Sequence, residues 1–362
     1  MKLIKKAISI IILSVLSLSI LAGCGGSKTT NETASNATAT SSNKKIKIGV
    51  SEYPGWMPWY IAQGEDFFKK NGVDVELVWF PVYSDSIQAF NSGNLDMLAV
   101  ALSDTIAPYL KGTDFKIVLS NDNSAGADAL VAKPEYSNIK DLKGKTVATE
   151  FGTIEHFFLL KALEKEGMKE SDINLVNMSV DDAGAALISG SVDAAALWEP
   201  ATGLAKARGN KVLYSSEETP GLIPNLLIAK GDMIKNNPDQ VEAVVNSYFD
   251  SLNFYSKNPD KSLAYMAKQC GISSEEMAGS MSGSKLFSIN DNIEAMTQKA
   301  ENMKYIPYAA LETSKFLKNV NMIDRVPTME ELEGMIDPSF IKKISEKRQS
   351  EPAPETKAQS NK

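Results

Sequence analysis

The chain is poor in three residue types that many activities require. Its 362 residues hold two cysteines, one histidine and three arginines. With cysteine confined to Cys24 and Cys270, neither a disulfide framework nor a thiolate metal cluster can be built. The lone histidine, His156, rules out the usual multi-ligand zinc centre, so no metal and no cofactor is expected. Arginine occurs at Arg208, Arg325 and Arg348, and the formal net charge is −7. Such a chain has no basic footprint for nucleic acid or for an anionic lipid surface.

The N-terminus carries the first positive signal. Lys2, Lys5 and Lys6 precede an apolar run from Ala7 to Leu21, which at about fifteen residues is too short for a membrane span and reads as a secretory leader. It closes in Leu21-Ala22-Gly23-Cys24, which resembles a bacterial lipobox. That resemblance implies cleavage after residue 23 and a diacylglycerol on the Cys24 thiol. Losing residues 1–23 removes three lysines and no acid, taking the charge from −7 to −10. Residues 24–44 are nearly all Gly, Ser, Thr, Asn and Ala, too polar to bury a core, and read as a flexible tether. The expected location is the outer side of the cell membrane, held by lipid. Residues 345–362 are polar, contain proline, and are expected to be a disordered tail. Cys270, at an expected helix end, reads as a packed residue rather than a nucleophile.

Between these ends the chain repeats itself once. "NSGNLDMLAV" (Asn91 to Val100) aligns without gaps with "ISGSVDAAAL" (Ile188 to Leu197) at an offset of 97. "VDVELVWF" matches "SDINLVNM", and "SEY" at Ser51 matches "TEF" at Thr149, both at an offset of 98. Each repeat predicts a strand (46–50; 146–149), a helix (58–71; 153–166) closed by Gly72 or Gly167, and a second alternating strand. A short helix stopping at Gly93 or Gly190 and a third strand complete it. Strand–helix alternation predicts mainly parallel sheets flanked by helices. Two such units make two α/β lobes, and a ligand would sit beyond the strand ends, in the cleft where helix N-termini converge. From Asp232 onward helical periodicity takes over, as in Val241, Val244, Val245, Tyr248 and Leu252.

"GWMPWYIAQGEDFFKKNGVDVEL", "SGNLDMLAV", "DLKGKTVATEFGT", "SGSVDAAALWEPA" and "NNPDQVEAVVNSY", in that order, resemble the solute-binding proteins of ABC importers of the nitrate, sulfonate and taurine group. The likeness runs from Ile46 to Ile344. It implies a two-lobed type II periplasmic-binding-protein fold with crossovers near Ala127–Val131 and Leu226–Ala229. Lobe 1 would then be residues 45–128 plus 228–344, and lobe 2 residues 129–227. It also implies a monomer that captures a small solute and delivers it to a transmembrane permease with its ATPase. No enzymatic activity is implied: no Ser or Cys stands in a nucleophile elbow, and nothing accompanies His156 as a triad. "KGKT" at Lys143 lacks the earlier glycine of a phosphate loop, and the cysteine-rich motif of a pyrimidine-handling enzyme of this fold is absent.

Candidate ligand contacts lie at the strand ends. Gly152 and Thr153 open a helix whose N-terminus would suit an anion, the Thr153 hydroxyl both capping and facing the cleft. His156, in the first turn, matches a histidine of taurine-type relatives and is either a contact or a polar tie between helix and sheet. Tyr53 and Trp56 follow the first strand, whereas Trp59 and Tyr60 read as packing. Ser103 and Asp104, Asn123 and Asp128, Trp198 and Glu199, and Asn225 complete the set. This wall is aromatic and acidic without an arginine. The expected ligand is a small sulfonate or a zwitterion such as taurine; the alternative is a cationic or neutral nitrogenous solute, an amine or a pyrimidine. Glu155, an acid beside an anion site, fits only if it points away or meets an amine.

Overall fold

Two twisted sheets organise the chain, and each contains one copy of the repeat. The structure, a computed structural model, describes residues 45–350; Cys24, the expected leader and tether, and the end of the expected tail lie outside them. Eleven strands are formed among the described residues: β1 (Ile46–Ser51), β2 (Val75–Phe80), β3 (Met97–Ala101), β4 (Phe115–Ser124), β5 (Asp128–Ala132), β6 (Thr146–Thr149), β7 (Asn174–Asn177), β8 (Ala194–Trp198), β9 (Lys211–Ser215), β10 (Pro224–Lys230) and β11 (Ser284–Leu286). The first sheet has the order β11-β4-β10-β3-β1-β2 and the second β7-β6-β8-β5-β9. β1 lies in parallel between β2 and β3, as β6 lies in parallel between β7 and β8, which is the repeat expressed in space. The strands that carry the chain between sheets, β4, β5, β9 and β10, pair antiparallel.

The chain leaves the first sheet at Ser124 and enters the second at Asp128; it leaves the second at Ser215 and re-enters the first at Pro224. The return expected near Leu226 to Ala229 falls inside β10, where Leu226 already pairs with Val100 and Ser120. The two passages are tied by one buried hydroxyl: Ser216 Oγ lies 2.6 Å from Ser124 Oγ and accepts from the Gly126 N–H at 2.7 Å.

The helices follow their sequence signals with two differences. The helix expected over 58–71 is broken into Pro58–Gly64 and Phe67–Lys70. Asp66 adopts a left-handed φ of 57° between them, and Gly64 sits so close to Tyr265 that a side chain would collide with its ring. At the other end, the helix Ser339–Ser350 runs through the first residues read as tail. Ile341 and Ile344 are buried, and the Arg348 guanidinium binds the Asn246 side chain and Asp250, so side-chain ties hold a segment whose composition is polar. Gly72, Gly93, Gly167 and Gly190 all have positive φ, as helix-closing glycines should. Trp59 and Tyr60 are buried in packing, with Trp59 against Phe68 and Tyr248.

Candidate functional site

The ends of β1, β3, β4, β5, β6, β8 and β10 converge where the two sheets face each other. Tyr53 follows β1, buried, and donates through its hydroxyl to Asp122 Oδ2 at 3.0 Å. Trp56 lies next to it, 5.0 Å between ring centroids, and Tyr83 lies 5.5 Å beyond Trp56. Trp198, at the end of β8 in the other sheet, meets Tyr83 edge-on at 5.4 Å. A run of four aromatic rings therefore crosses from one sheet to the other. Edge-to-face rings at such distances attract one another by about 0.5–1.5 kcal/mol beyond area burial.

Carboxyl groups stand beside this run. Asp122, Asp128, Glu150, Glu155 and Glu199 are buried and Asp104 is half-buried, and among the described residues none of them takes part in an ion pair. Burial raises every one of them above the ordinary carboxylate range. Asp104 is pushed up to about 7 by burial, despite the hydrogen bonds it accepts from Tyr83 and Ser103. Glu155 is driven well up by burial first and then by the Asp128 carboxyl. Many polar atoms here have no partner within the protein: Asp122 Oδ1, Asp128 Oδ2, Glu150 Oε2, both Glu155 oxygens, Trp56 Nε1, the Asn121 amide and Asn225 Nδ2. Leaving one such group buried and unpaired costs about 1–3 kcal/mol. A concentration of them at a sheet-to-sheet junction marks a place built to meet something else.

The twelve residues expected at the site separate into three places. Tyr53, Trp56, Asp128, Trp198, Glu199 and Asn225 belong to the buried junction, with Asp128 and Trp198 opposite each other across β5 and β8 and Asn225 opposite Asp122. Ser103, Asp104, Gly152, Thr153 and His156 line a groove of about 550 Å³ beside it. Asn123 lines a separate pocket of about 250 Å³ behind the crossovers, with Ser216 and Pro224. The helix N-terminus expected to hold an anion is already capped from the other sheet: Asp104 Oδ2 accepts the Ile154 N–H at 3.1 Å. Thr153 does not cap it; its hydroxyl donates to the Glu150 carbonyl at 2.8 Å. His156 stacks on Phe151 and lies 3.2 Å from Glu170 Oε2. A further link is the Ser84 N–H donating to Glu150 Oε1 at 2.8 Å.

Among known proteins, the family model described as NMT1/THI5 like matches residues 53–262, more than half of the chain. The chain belongs to the NMT1/THI5-like family. The taurine-binding periplasmic protein of Escherichia coli (strain K12) is 26% identical over 293 residues, covering 78% of this chain and 89% of that protein. The periplasmic aliphatic sulphonate binding protein SsuA from Escherichia coli superposes with a TM-score of 0.66 at 20% identity, covering 82% of this chain and 92% of that one. SsuA from Xanthomonas axonopodis pv. citri, solved with MOPS, gives 0.67 at 17% identity, covering 82% and 98%. These likenesses establish the periplasmic-binding-protein fold.

In this NMT1/THI5-like chain, Tyr83, Asn121, Asp122 and Glu150 are junction residues that sequence reading missed. Asn123 was chosen from "NDNSAGAD" in place of Asp122. The register between β4 and β10 shifts there, Asp122 facing Asn225 while Ser120 faces Leu226. Asn121 is the extra residue of a β-bulge, which re-aims neighbouring side chains and defeats simple alternation. Gly55 gave a usable hint, because its missing side chain lets Asp122 lie against the backbone after β1. Cys270 is half-buried and lies 3.3 Å from Met57 Sδ. Burial raises its thiol, as does Glu52 beside it, so it is not a poised nucleophile.

Proposed function

We propose that the protein is the extracytoplasmic solute-binding component of an ABC importer. It binds rather than transforms its ligand, acts as a monomer, and hands the solute to a permease and its ATPase. Its two lobes are built on the two sheets and hinge at residues 125–127 and 216–223. The observation that carries this reading is the buried junction, where unpartnered donors and acceptors from both sheets meet beside four aromatic rings. Membership of the family, and relatives named for binding taurine and aliphatic sulphonates, support the same role.

The ligand we propose is a small sulfonate or zwitterion, and taurine, which carries an ammonium, suits the acid-lined junction better than a sulfonate without an amine. A second reading, a cationic nitrogenous solute, is favoured by the five buried carboxyls and by Asp104 occupying the helix N-terminus. Scanning fluorimetry with taurine, alkanesulfonates and small amines tests both. A ligand at about 100 times its dissociation constant adds roughly 2.7 kcal/mol, a visible rise in melting temperature. Stabilisation by alkanesulfonates and not by any amine would remove the second reading. Deleting the protein in its host should abolish uptake of the stabilising solute; unchanged uptake would sink the importer role. We further propose that Cys24 carries lipid. Cys24→Ser should then move the protein from the membrane fraction to the soluble envelope fraction or medium, and unchanged fractionation would contradict the anchor.

A further inference from the structure

The carboxyls of Asp128 and Glu155 come from different elements, the first residue of β5 and the first turn of the helix Ile154–Lys165. They stand within hydrogen-bonding reach of each other, and both are fully buried. Two carboxylates so close and so dry cannot both stay ionised, so they hold one proton between them. The groups facing Asp128 are Tyr53, Asp122 and Glu199, with the Ser124 hydroxyl; those facing Glu155 are Asp104 and Glu150. None of these is a cation.

Apart from the proton they share, Asp128 Oδ2 and Glu155 Oε1 and Oε2 meet no hydrogen-bond donor of the protein. A primary ammonium brings three N–H donors and a positive charge. A quaternary ammonium brings no donor, and a sulfonate brings only more acceptors. We propose that the Asp128–Glu155 pair is the seat for a primary ammonium group of the solute, which enters by displacing the single proton the pair shares. The exchange balances: one ammonium charge goes in, one proton goes out, and the pair becomes fully ionised. This rests on the solute-binding reading above and specifies which end of the solute the junction selects.

Isothermal titration calorimetry on the full chain tests it with matched pairs: taurine against ethanesulfonate, β-alanine against propanoate, and ethanolamine against ethylene glycol. At least one amine-bearing member should bind at least tenfold more tightly than its amine-free partner. Titrations at pH 7 in phosphate and in Tris should give close to one proton released per solute bound. Affinity should fall by up to about tenfold per unit of pH as the pH is lowered, because protons compete for the seat. Glu155→Gln and Asp128→Asn should each weaken amine binding at least tenfold and abolish the proton release, while melting at or above the wild-type temperature in the ligand-free state. Equal binding of the amine-free partner would overturn the seat and leave the importer role standing. Amine binding without proton release would overturn the shared-proton pair. Failure of all six probes would overturn the seat, and the importer role would then stand or fall on the uptake test.

Discussion

At the scale of single residues, the junction depends on side chains whose partners come from the opposite sheet. Trp198 shows this. It ends β8 and touches Tyr83 of the first sheet edge-on, with 5% of its surface exposed. Sequence reading placed it at the cleft because the repeat sets Trp198 against the small Ala101. The repeat could not reveal that Tyr83 meets it, since Tyr83 has no aromatic counterpart in the second repeat. Trp198→Ala should weaken solute binding at least about tenfold, roughly 1.4 kcal/mol. The ligand-free protein should lose the ring contact, about 0.5–1.5 kcal/mol, together with the burial of a ring that is 5% exposed. Calorimetry and thermal unfolding of the same preparation check this. A loss of about 3–5 kcal/mol in the ligand-free state with affinity preserved is the behaviour of a core ring and would remove Trp198 from the site. Asp122 shows where residue-level reading fails, because a bulge hid it.

At the scale of elements, the strands and helices of the repeat were legible because periodicity and closing glycines are local. The return connection between sheets was not, because it depends on partners far along the chain. Ser216 is the example. It belongs to a turn that composition marks only as polar, yet it is fully buried and joins the two passages through Ser124 and Gly126. Gly283 closes the same place, its backbone packed so tightly on Ala127 that a side chain would collide. Ser216→Ala leaves the Gly126 N–H and the Ser124 hydroxyl without that partner, a cost of roughly 1–3 kcal/mol. Thermal stability should fall by that amount, and amide hydrogen exchange at Gly126 and Asp128 should accelerate relative to amides in β1 and β3. Unchanged exchange at those two amides would show that the passages are held by packing alone.

At the scale of the whole molecule, two populations of acids act in opposite directions. The buried junction acids and Glu52, which burial and Asp181 raise to about 7, bind protons more tightly when folded than in the unfolded chain, where carboxyls titrate near 4. Between about pH 4 and 7 the native state therefore holds more protons, so these groups make stability fall as pH rises through that window. Exposed acids such as Glu331, lowered to about 2 by Arg325, do the reverse, and they favour the fold above about pH 4 and lose that contribution as pH falls toward 2. Because those pairs are exposed and screened, each contributes little, and the buried population should dominate. The ligand-free protein should accordingly melt at a higher temperature at pH 5 than at pH 8. Glu155→Gln should remove part of the difference, since an amide has no proton to give up. Circular dichroism melts of wild type and variant at the two pH values check this. A wild-type melting temperature equal or higher at pH 8 would mean that these carboxylates are ionised and hydrated, with the lobes standing apart in the ligand-free molecule.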